Sequence, residues 1–333
     1  MLNQQLRIKR LPVGVPVPED FELATATVQD IASGDVLVRT HWLSLDPYVR
    51  ALLSGRHFLK MPGPGDVMPA KGVAEVIASR NDVFNVGDLL VMETGMQRYA
   101  VSQAADAWKL HPGHQPASTA LGILGVPGMT AYFGLGDVAR LQPGERVLVS
   151  SAAGPVGSMV GQIARLRGAK AIGIAGSPEK CEWVVKQARF EACIDYKRED
   201  VAARLRELAP YGVDVFFDNT GGELQREVIM GRHLAMNARV ILCGLVTQYN
   251  LDTPPPGPNL GALMGCRGRI LPLIVYDYEH RREEFLREAL AWHGEGRLAW
   301  REDIAEGLPN AAEAFCRLMR GENFGKSLVR VGT

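Results

Sequence analysis

The chain has 333 residues, and its 37 Lys and Arg are balanced by 37 Asp and Glu. This neutral balance does not favour nucleic acid or an anionic membrane as a partner, and the length favours two domains over one. No apolar run approaches the ~20 residues that a membrane span needs. The N-terminal residues lack the apolar core of a signal peptide, so we expect a cytoplasmic protein.

Residues 1–127 are predicted to form a small, mostly β, barrel-like domain, because short β-prone runs follow one another without helices between them. The predicted strands are Phe21–Val28, Asp35–Leu45, Gly72–Ser79 and Asp88–Glu93. The segment Trp42–Arg50 contains aromatic side chains that either line a cleft or pack the domain. Its composition alone favours packing.

Residues 128–299 alternate between strand and helix patterns, which is typical of a Rossmann-type, doubly wound parallel sheet. Six strands are predicted, namely Val147–Val149, Lys170–Ala175, Ala192–Tyr196, Val213–Asn219, Ala238–Gly244 and Arg269–Tyr276. Helices are predicted from Pro155 to a stop at Gly168 and over Pro178–Ala188, Glu199–Ala209, Glu223–Leu234 and Glu279–Glu295. The fold class is therefore α/β, with a second, mostly β domain.

Two segments lie outside this alternation. The loop Leu245–Arg267 is long enough that we expect a functional role, although an assembly role is the alternative. Residues 300–333 contain one predicted helix, Ala311–Arg320, and one predicted strand, Gly325–Val331. Because six strands already complete the parallel sheet, this tail is predicted to return to the first domain.

The first strand of the parallel sheet leads into a glycine turn at Gly154 and Gly157. Pro155 suits the first turn of a helix, where a missing N–H costs nothing. Such a turn directs free backbone N–H groups and the positive end of the helix dipole at one point, which favours a pyrophosphate. The fingerprint is a variant, with Ala152 in place of the first glycine, and a tight turn in any α/β protein is the alternative.

The end of the second parallel strand indicates which nucleotide binds. An NAD site carries an acidic residue about 20 positions past the glycine turn, whereas this strand ends in Gly176 and Ser177. Lys180 follows and can meet a 2′-phosphate, although a solvated helix residue would look the same. Glu179 is more consistent with the start of a helix. The pattern favours NADP over NAD.

The sequence contains no recognisable set of metal-ligating residues. The seven His residues form no Gly-His-Glu cluster with a neighbouring Cys, and the five scattered cysteines have no C-x-x-C pair, so zinc chemistry is not expected. We expect the cysteines to be small core residues. Tyr249 follows a strand end, where a phenol can donate a hydrogen bond to a developing enolate, although packing is the commoner role.

Together these segments resemble the zinc-free medium-chain dehydrogenase/reductase superfamily, and within it the leukotriene/prostaglandin reductase branch, which includes bacterial NADPH-dependent curcumin reductase. The matching segments are Leu43–Tyr48, Gly125–Tyr132, Ala152–Gly157, Ala175–Lys180, Asp218–Gly222, Cys243–Asn250, Pro254–Pro258 and Gly321–Lys326. One departure is Ala188-Arg-Phe190, where the family commonly has Leu-Gly-Phe, so the helix end there is expected to be altered.

The resemblance implies an enzyme that reduces the carbon–carbon double bond of α,β-unsaturated ketones or aldehydes with NADP(H), in a GroES-like catalytic domain (1–127 and 300–333) and a Rossmann domain (128–299). Tyr249 would contact the enolate, and Tyr48 and Arg50 would edge the substrate cleft. The implied cofactor contacts are Thr130, Gly154, Pro155, Val156, Gly157, Ser177, Lys180, Tyr196, Asn219, Cys243, Gly244, Leu245, Leu273, Ile274, Val275 and Asn323.

Two other functions remain open. A quinone oxidoreductase of the same superfamily would share the fold, the cofactor and the lack of zinc. A non-catalytic NADPH-binding sensor would keep the nucleotide site without the reaction. The resemblance also implies a homodimer, with the Leu260–Ile274 stretch pairing across a two-fold axis.

Overall fold

The computed structural model describes residues 1–57 and 59–332. The strands in chain order are β1 Leu2–Ile8, β2 Phe21–Thr27, β3 Val36–Ser44, β4 Lys71–Ser79, β5 Leu89–Glu93, β6 Tyr99–Ser102, β7 Trp108–Lys109, β8 Arg146–Val149, β9 Lys170–Ala175, β10 Ala192–Asp195, β11 Val213–Asp218, β12 Leu234–Leu242, β13 Arg269–Pro272, β14 Glu302–Glu306 and β15 Lys326–Arg330.

The α-helices are α1 Tyr48–Leu53, α2 Val126–Phe133, α3 Pro155–Leu166, α4 Pro178–Lys186, α5 Val201–Leu208, α6 Gly222–Met230, α7 Ala262–Cys266, α8 Arg282–Gly294 and α9 Ala311–Met319. A π-helical stretch, Gly134–Val138, follows α2. A 3₁₀ helix, Val275–Arg281, precedes α8.

The described residues form two compact units. The first contains Met1–Leu121, Tyr249–Asp252 and the chain from Glu302 onward, and the second contains Gly122–Gln248 and Thr253–Arg301. The divisions therefore lie at 121/122 and 301/302 rather than at the predicted 127/128 and 299/300. The sequence also did not predict that residues 249–252 leave the second unit for the first.

The first unit is built on a seven-stranded, largely antiparallel sheet in the order β14-β15-β3-β4-β5-β7, with β6 paired to β3. β1 and β2 form a separate antiparallel pair. Their core contacts α9, where the rings of Phe21 and Phe315 meet edge to face at 6.0 Å. Strand β15 pairs with β3, which confirms that the C-terminal tail returns to this sheet.

The second unit contains the parallel sheet, in the order β10-β9-β8-β11-β12-β13. Counted along the chain this is the order 3-2-1-4-5-6 of a dinucleotide-binding domain, so the predicted Rossmann-type architecture is confirmed. The central strands are apolar because both faces of the sheet are covered by helices. Val147, Leu148 and Val149 of β8 are fully buried.

Two local predictions are corrected or explained. The last parallel strand ends at Pro272, and the predicted strand residues Val275 and Tyr276 belong to the 3₁₀ helix. Arg189 has φ 59°, a left-handed conformation that favours the glycine common in the family and costs a larger residue about 1 kcal/mol. In the described part of the chain, no helix is long and apolar enough to cross a membrane.

Candidate active site

The turn between β8 and α3 has the geometry of an anion site. Gly154 is the N-cap residue, with extended backbone (φ −79°, ψ 169°), and Pro155 begins the helix. The Ser158 N–H donates to the Gly154 carbonyl at 2.9 Å. Val156 and Gly157 lie before Ser158 in the first turn of the helix, where backbone N–H groups have no intrahelical acceptor. Their N–H groups are therefore available to a ligand at the positive end of the helix dipole.

Gly157 allows α3 to approach the end of β8 closely. A Cβ atom at this position would lie 2.3 Å from the Ser151 carbonyl oxygen and 2.9 Å from the Ala152 Cα. Both neighbours are backbone atoms, so only glycine fits without moving the turn. The close approach supports the predicted role of this turn in holding a pyrophosphate.

The end of β9 has no acidic side chain. Ser177 is the N-cap of α4, and its hydroxyl oxygen accepts the Lys180 N–H at 3.2 Å, as the sequence predicted. Tyr196, which follows β10, lies over the end of β9, because a Cβ at Gly176 would be 2.9 Å from its ring. Glu179 pairs with Arg301 at 3.8 Å. Ser177, Lys180 and Tyr196 therefore lie at one edge of the sheet.

A buried network joins the ends of β8 and β11. Asp218 Oδ1 accepts the Ser150 hydroxyl at 2.9 Å, the Thr220 N–H at 3.0 Å and the Gly221 N–H at 3.1 Å. Its Oδ2 accepts Gln225 Nε2 at 3.0 Å. Asn219 is held in turn, since its Nδ2 donates to the Ser150 carbonyl at 2.8 Å. The predicted cofactor residue Asn219 is thus oriented by this network.

The predicted residues after β12 follow the same network. The backbone N–H groups of Cys243 and Gly244 donate to the Asp218 carbonyl at 2.9 and 3.2 Å. Burial raises the pKa of the Cys243 thiol to about 12, so this group is a neutral thiol at physiological pH. Leu245 packs near Gly221, where an added Cβ would lie 2.7 Å from its side chain.

The other predicted residues near the sheet differ in exposure. Thr130 lies inside α2, and its hydroxyl donates to the Val126 carbonyl at 2.7 Å. Leu273 is buried directly after β13, whereas Ile274 is exposed and Val275 starts the 3₁₀ helix. Their assignment to the cofactor stays a prediction.

Tyr249 lies in the first unit. It packs against the core that contains α9, as does Tyr48, which begins α1. The surrounding segment is anchored on both sides, because Asn250 Nδ2 donates to the Met319 carbonyl at 3.0 Å and the Arg56 guanidinium donates to the carbonyls of Leu251 and Asp252. The structure therefore brings Tyr48 and Tyr249 to the margin of one core.

Two further predicted residues have structural partners in this unit. Arg50 is only 3% exposed, and its Nη2 donates to the carbonyls of Pro12 and Gly14 at 3.2 and 2.9 Å. Its Nη1 is buried without a hydrogen-bond partner. Asn323 Nδ2 donates to the Gly325 carbonyl at 3.0 Å. Their contacts with substrate and cofactor stay predictions.

Comparison with known proteins covers the whole chain. A model of the N-terminal domain of oxidoreductases matches residues 4–110, and a model described as zinc-binding dehydrogenase matches residues 155–291. The chain is 38% identical to NADPH-dependent curcumin reductase of Escherichia coli, with 99% of this chain and 97% of that protein covered. Prostaglandin reductase 1 of Bos taurus is 37% identical, with 97% of each chain covered.

The chain belongs to the curcumin and prostaglandin reductase branch of the medium-chain dehydrogenase/reductase superfamily. Another relative in this branch is the NADP(+)-dependent 2-alkenal reductase of Nicotiana tabacum, which is 34% identical over 99% of this chain and 97% of that protein. A crystal structure of CurA from Vibrio vulnificus in complex with NADPH superimposes with a TM-score of 0.93, at 37% identity and 99% coverage of both chains.

One of the matching family models is that of a zinc-binding dehydrogenase. Within the described residues, 1–57 and 59–332, no group of three or more His, Cys, Asp or Glu side chains is placed to hold a metal ion. Glu75 in β4 instead accepts a hydrogen bond from Arg39 Nη2 at 2.6 Å. The described donor set of this reductase family member therefore does not fit a zinc site.

Sequence reasoning missed the residues that orient the site. Ser150 and Asp218 form the network at the sheet edge, and Arg56 and Asn250 anchor the tyrosine segment. The sequence does contain a signal for Ser150 and Asp218, because polar residues at the ends of two neighbouring apolar strands lie at the same carboxyl edge of a parallel sheet. No local signal exists for the second pair, since their partners are backbone carbonyls distant in the chain.

Proposed function

We propose that this protein is an NADPH-dependent reductase of carbon–carbon double bonds conjugated to a ketone or aldehyde carbonyl. The observation that carries the proposal is full-length similarity to reductases whose names specify NADPH, curcumin, prostaglandin and 2-alkenal. This similarity includes both the nucleotide turn at Gly154–Gly157 and the Tyr249 segment. A non-catalytic NADPH sensor has no need for the second feature.

The residues that would hold NADPH lie along the carboxyl edge of the parallel sheet. The N–H groups at the start of α3 would bind the pyrophosphate, and Gly157 lets α3 begin close to the end of β8. Lys180, with Ser177 and Tyr196, would bind the 2′-phosphate, because no carboxylate at the end of β9 repels it. Asn219, Cys243 and Gly244 are further proposed contacts at this edge, and Asn323 of the first unit is another proposed contact.

Bound NADPH supplies the hydride that the β-carbon of the substrate receives. In our proposal, the Tyr249 hydroxyl donates a hydrogen bond to the substrate carbonyl oxygen and stabilises the negative charge that develops there. The anchoring of its segment by Arg56 and Asn250 restrains the backbone that carries the phenol, which reduces the reorganisation needed during the reaction. A proton then reaches the α-carbon.

An acceptor panel tests this function directly. Oxidation of NADPH by the purified protein is followed with an enone, an alkenal, a quinone and no acceptor. We expect turnover with the enone and the alkenal. Turnover with the quinone alone would instead identify a quinone oxidoreductase, and binding of NADPH without turnover of any acceptor would indicate a sensor.

The Tyr249→Phe variant is expected to lower kcat by about 10²-fold, the usual effect of removing one donor to a developing oxyanion. The affinity for NADPH should change far less, because the phenol acts on the substrate. Steady-state kinetics and an NADPH titration measure the two quantities. Tyr211→Phe, at a position that is 90% exposed, is the matched control. An unchanged kcat would remove Tyr249 from the mechanism.

We also propose a homodimer formed through β13. This strand is an edge of the parallel sheet, and an open edge is a template for pairing with a second copy. Large apolar side chains near it are exposed, including Met264 at 82% and Leu260 at 58%. A Met264→Glu variant should dissociate into monomers in analytical ultracentrifugation, and an unchanged sedimentation coefficient would contradict this interface. The cytoplasmic location stays a prediction.

A further inference from the structure

Two cysteines form a close pair beside the proposed 2′-phosphate site. Cys181 lies in the first half of α4, and Cys193 lies in β10. The Cys193 thiol donates a hydrogen bond to the Cys181 sulfur, with 2.9 Å between the two Sγ atoms. Both residues are partly exposed. The pair differs in this respect from the small core residues that the sequence predicted.

The pair links the two segments that carry the proposed phosphate-binding residues. Cys181 directly follows Lys180, and its N–H donates to the Ser177 carbonyl at 3.0 Å. Cys193 precedes Tyr196 by three positions, and the Tyr196 N–H donates to the Ala175 carbonyl at 3.1 Å. The two cysteines therefore lie on the same two segments as Lys180 and Tyr196, so a covalent bond between them would link those segments directly.

The two thiols have opposite chemical tendencies. The hydrogen bond from Cys193 lowers the pKa of Cys181, because it stabilises the thiolate. The same bond, together with burial, raises the pKa of Cys193. Cys181 is thus the nucleophile of the pair, and Cys193 is placed to attack whatever forms on its sulfur.

We propose that Cys181 and Cys193 form a reversible redox site, whose oxidation to a disulfide by hydrogen peroxide weakens the binding of NADPH. This inference rests on the proposed binding of the 2′-phosphate at Lys180. Disulfides that form in a reducing compartment are usually transient, with a catalytic or redox-sensing role.

The reaction balances without a further reagent. The Cys181 thiolate attacks one peroxide oxygen, the O–O bond breaks, and hydroxide leaves and is protonated to water, which gives a sulfenic acid on Cys181. The Cys193 sulfur then attacks Cys181, the S–O bond breaks, and a second water leaves with the thiol proton. Two thiols lose two electrons in total, and one peroxide is reduced to two waters.

The cofactor and the disulfide are coupled in both directions. In our proposal, closing the pair from 2.9 Å to a bond of about 2.05 Å draws α4 toward β10, and this movement displaces Lys180 from the position it has in the dithiol form. We expect the affinity for NADPH to fall about tenfold, as for the loss of one charge-assisted hydrogen bond. By linkage, saturating NADPH protects the dithiol by the same factor.

The experiment oxidises the full chain with hydrogen peroxide, with and without NADPH, and then blocks the remaining thiols with an alkylating agent. Peptide mass mapping should find a Cys181–Cys193 disulfide that dithiothreitol removes. Oxidised protein should bind NADPH about tenfold more weakly than reduced protein, with NADH affinity nearly unchanged. In Cys193→Ser, oxidation should stop at a sulfenic acid on Cys181, which a 1,3-dicarbonyl probe labels.

Cys266→Ser is the matched control, because Cys266 is also partly exposed but has no cysteine partner among the described residues. This variant should form the disulfide as the wild type does. The proposal is overturned if Cys181 and Cys193 oxidise no faster than Cys266, or if the mapped disulfide leaves NADPH affinity unchanged. A reduced protein that fails to bind NADPH would instead contradict the proposed function, since mass mapping reads the disulfide independently of the cofactor.

Discussion

Replacing Gly157 with alanine is expected to weaken NADPH binding by at least 10²-fold. The new Cβ would lie 2.3 Å from the Ser151 carbonyl oxygen, and a backbone atom cannot move aside as a side chain can. Either the turn or α3 must shift, and the N–H groups that would bind the pyrophosphate shift with it. Isothermal titration with NADPH measures the loss. Stability should fall by about 1–3 kcal/mol, the usual cost of overpacking.

The control for this prediction lies one turn further along the same helix. A Cβ at Gly161 would meet the ring of Phe190 at 1.9 Å, so Gly161→Ala should also destabilise the protein in thermal unfolding. Its effect on NADPH affinity should be only a few-fold, because the clash is with a side chain remote from the turn. Equal losses of affinity in the two variants would show that Gly157 acts through stability alone.

The Lys180→Ala variant is expected to raise the KM for NADPH by about 10- to 100-fold, since a hydrogen bond to a charged group contributes about 1.5–3 kcal/mol. The KM for NADH should stay nearly the same, because NADH has no 2′-phosphate. The N-cap bond from the Lys180 N–H to Ser177 uses the backbone and survives the substitution, so α4 remains intact. Steady-state kinetics with both cofactors measure the difference.

Lys186→Ala is the matched control for Lys180. Lys186 lies on the same helix and pairs with Glu182 at 2.6 Å, on the exposed side. Its removal should leave both KM values unchanged. A parallel rise for NADPH and NADH in Lys180→Ala would contradict the assignment of Lys180 to the phosphate.

The parallel sheet could be predicted well because its signals are local. β9 has the predicted bounds Lys170–Ala175, and Ser177 is the predicted N-cap. These elements are short apolar runs bounded by glycine and capping residues, so composition and spacing are sufficient. The order of the strands then follows from the fold class.

The strands β1 and β14 could not be predicted from the sequence, because they depend on partners distant in the chain. β1 contains Asn3 and Gln5, which are buried although they are polar, because both donate to the Gln97 side chain. Its pattern therefore does not resemble a half-buried strand. β14, Glu302–Glu306, is rich in acidic residues and forms only because it pairs with β15. Propensity argues against both strands, and tertiary contacts override it.

The candidate site could be predicted in its residue types but not in its organisation. The glycine turn and the missing acid after β9 are sequence patterns. The assignment of Tyr249 to the first unit is not, because the sequence places this residue between two elements of the parallel sheet. Asn250 and Arg56 hold the segment through the carbonyls of Met319, Leu251 and Asp252. Contacts with backbone carbonyls leave no compositional signal.

Residues 249–252 belong to the first unit although the chain on both sides of them belongs to the second, and this matters for protein engineering. A chimera that exchanges residues 122–301 for those of a relative imports a foreign Tyr249 segment, which must then dock on the native Arg56 and on the native end of α9. Grafting the cofactor unit while keeping residues 249–252 from the host preserves those contacts. A recombination scheme for this family therefore needs four crossover points rather than two, because residues 249–252 belong to the first unit although they lie between two parts of the second in the chain.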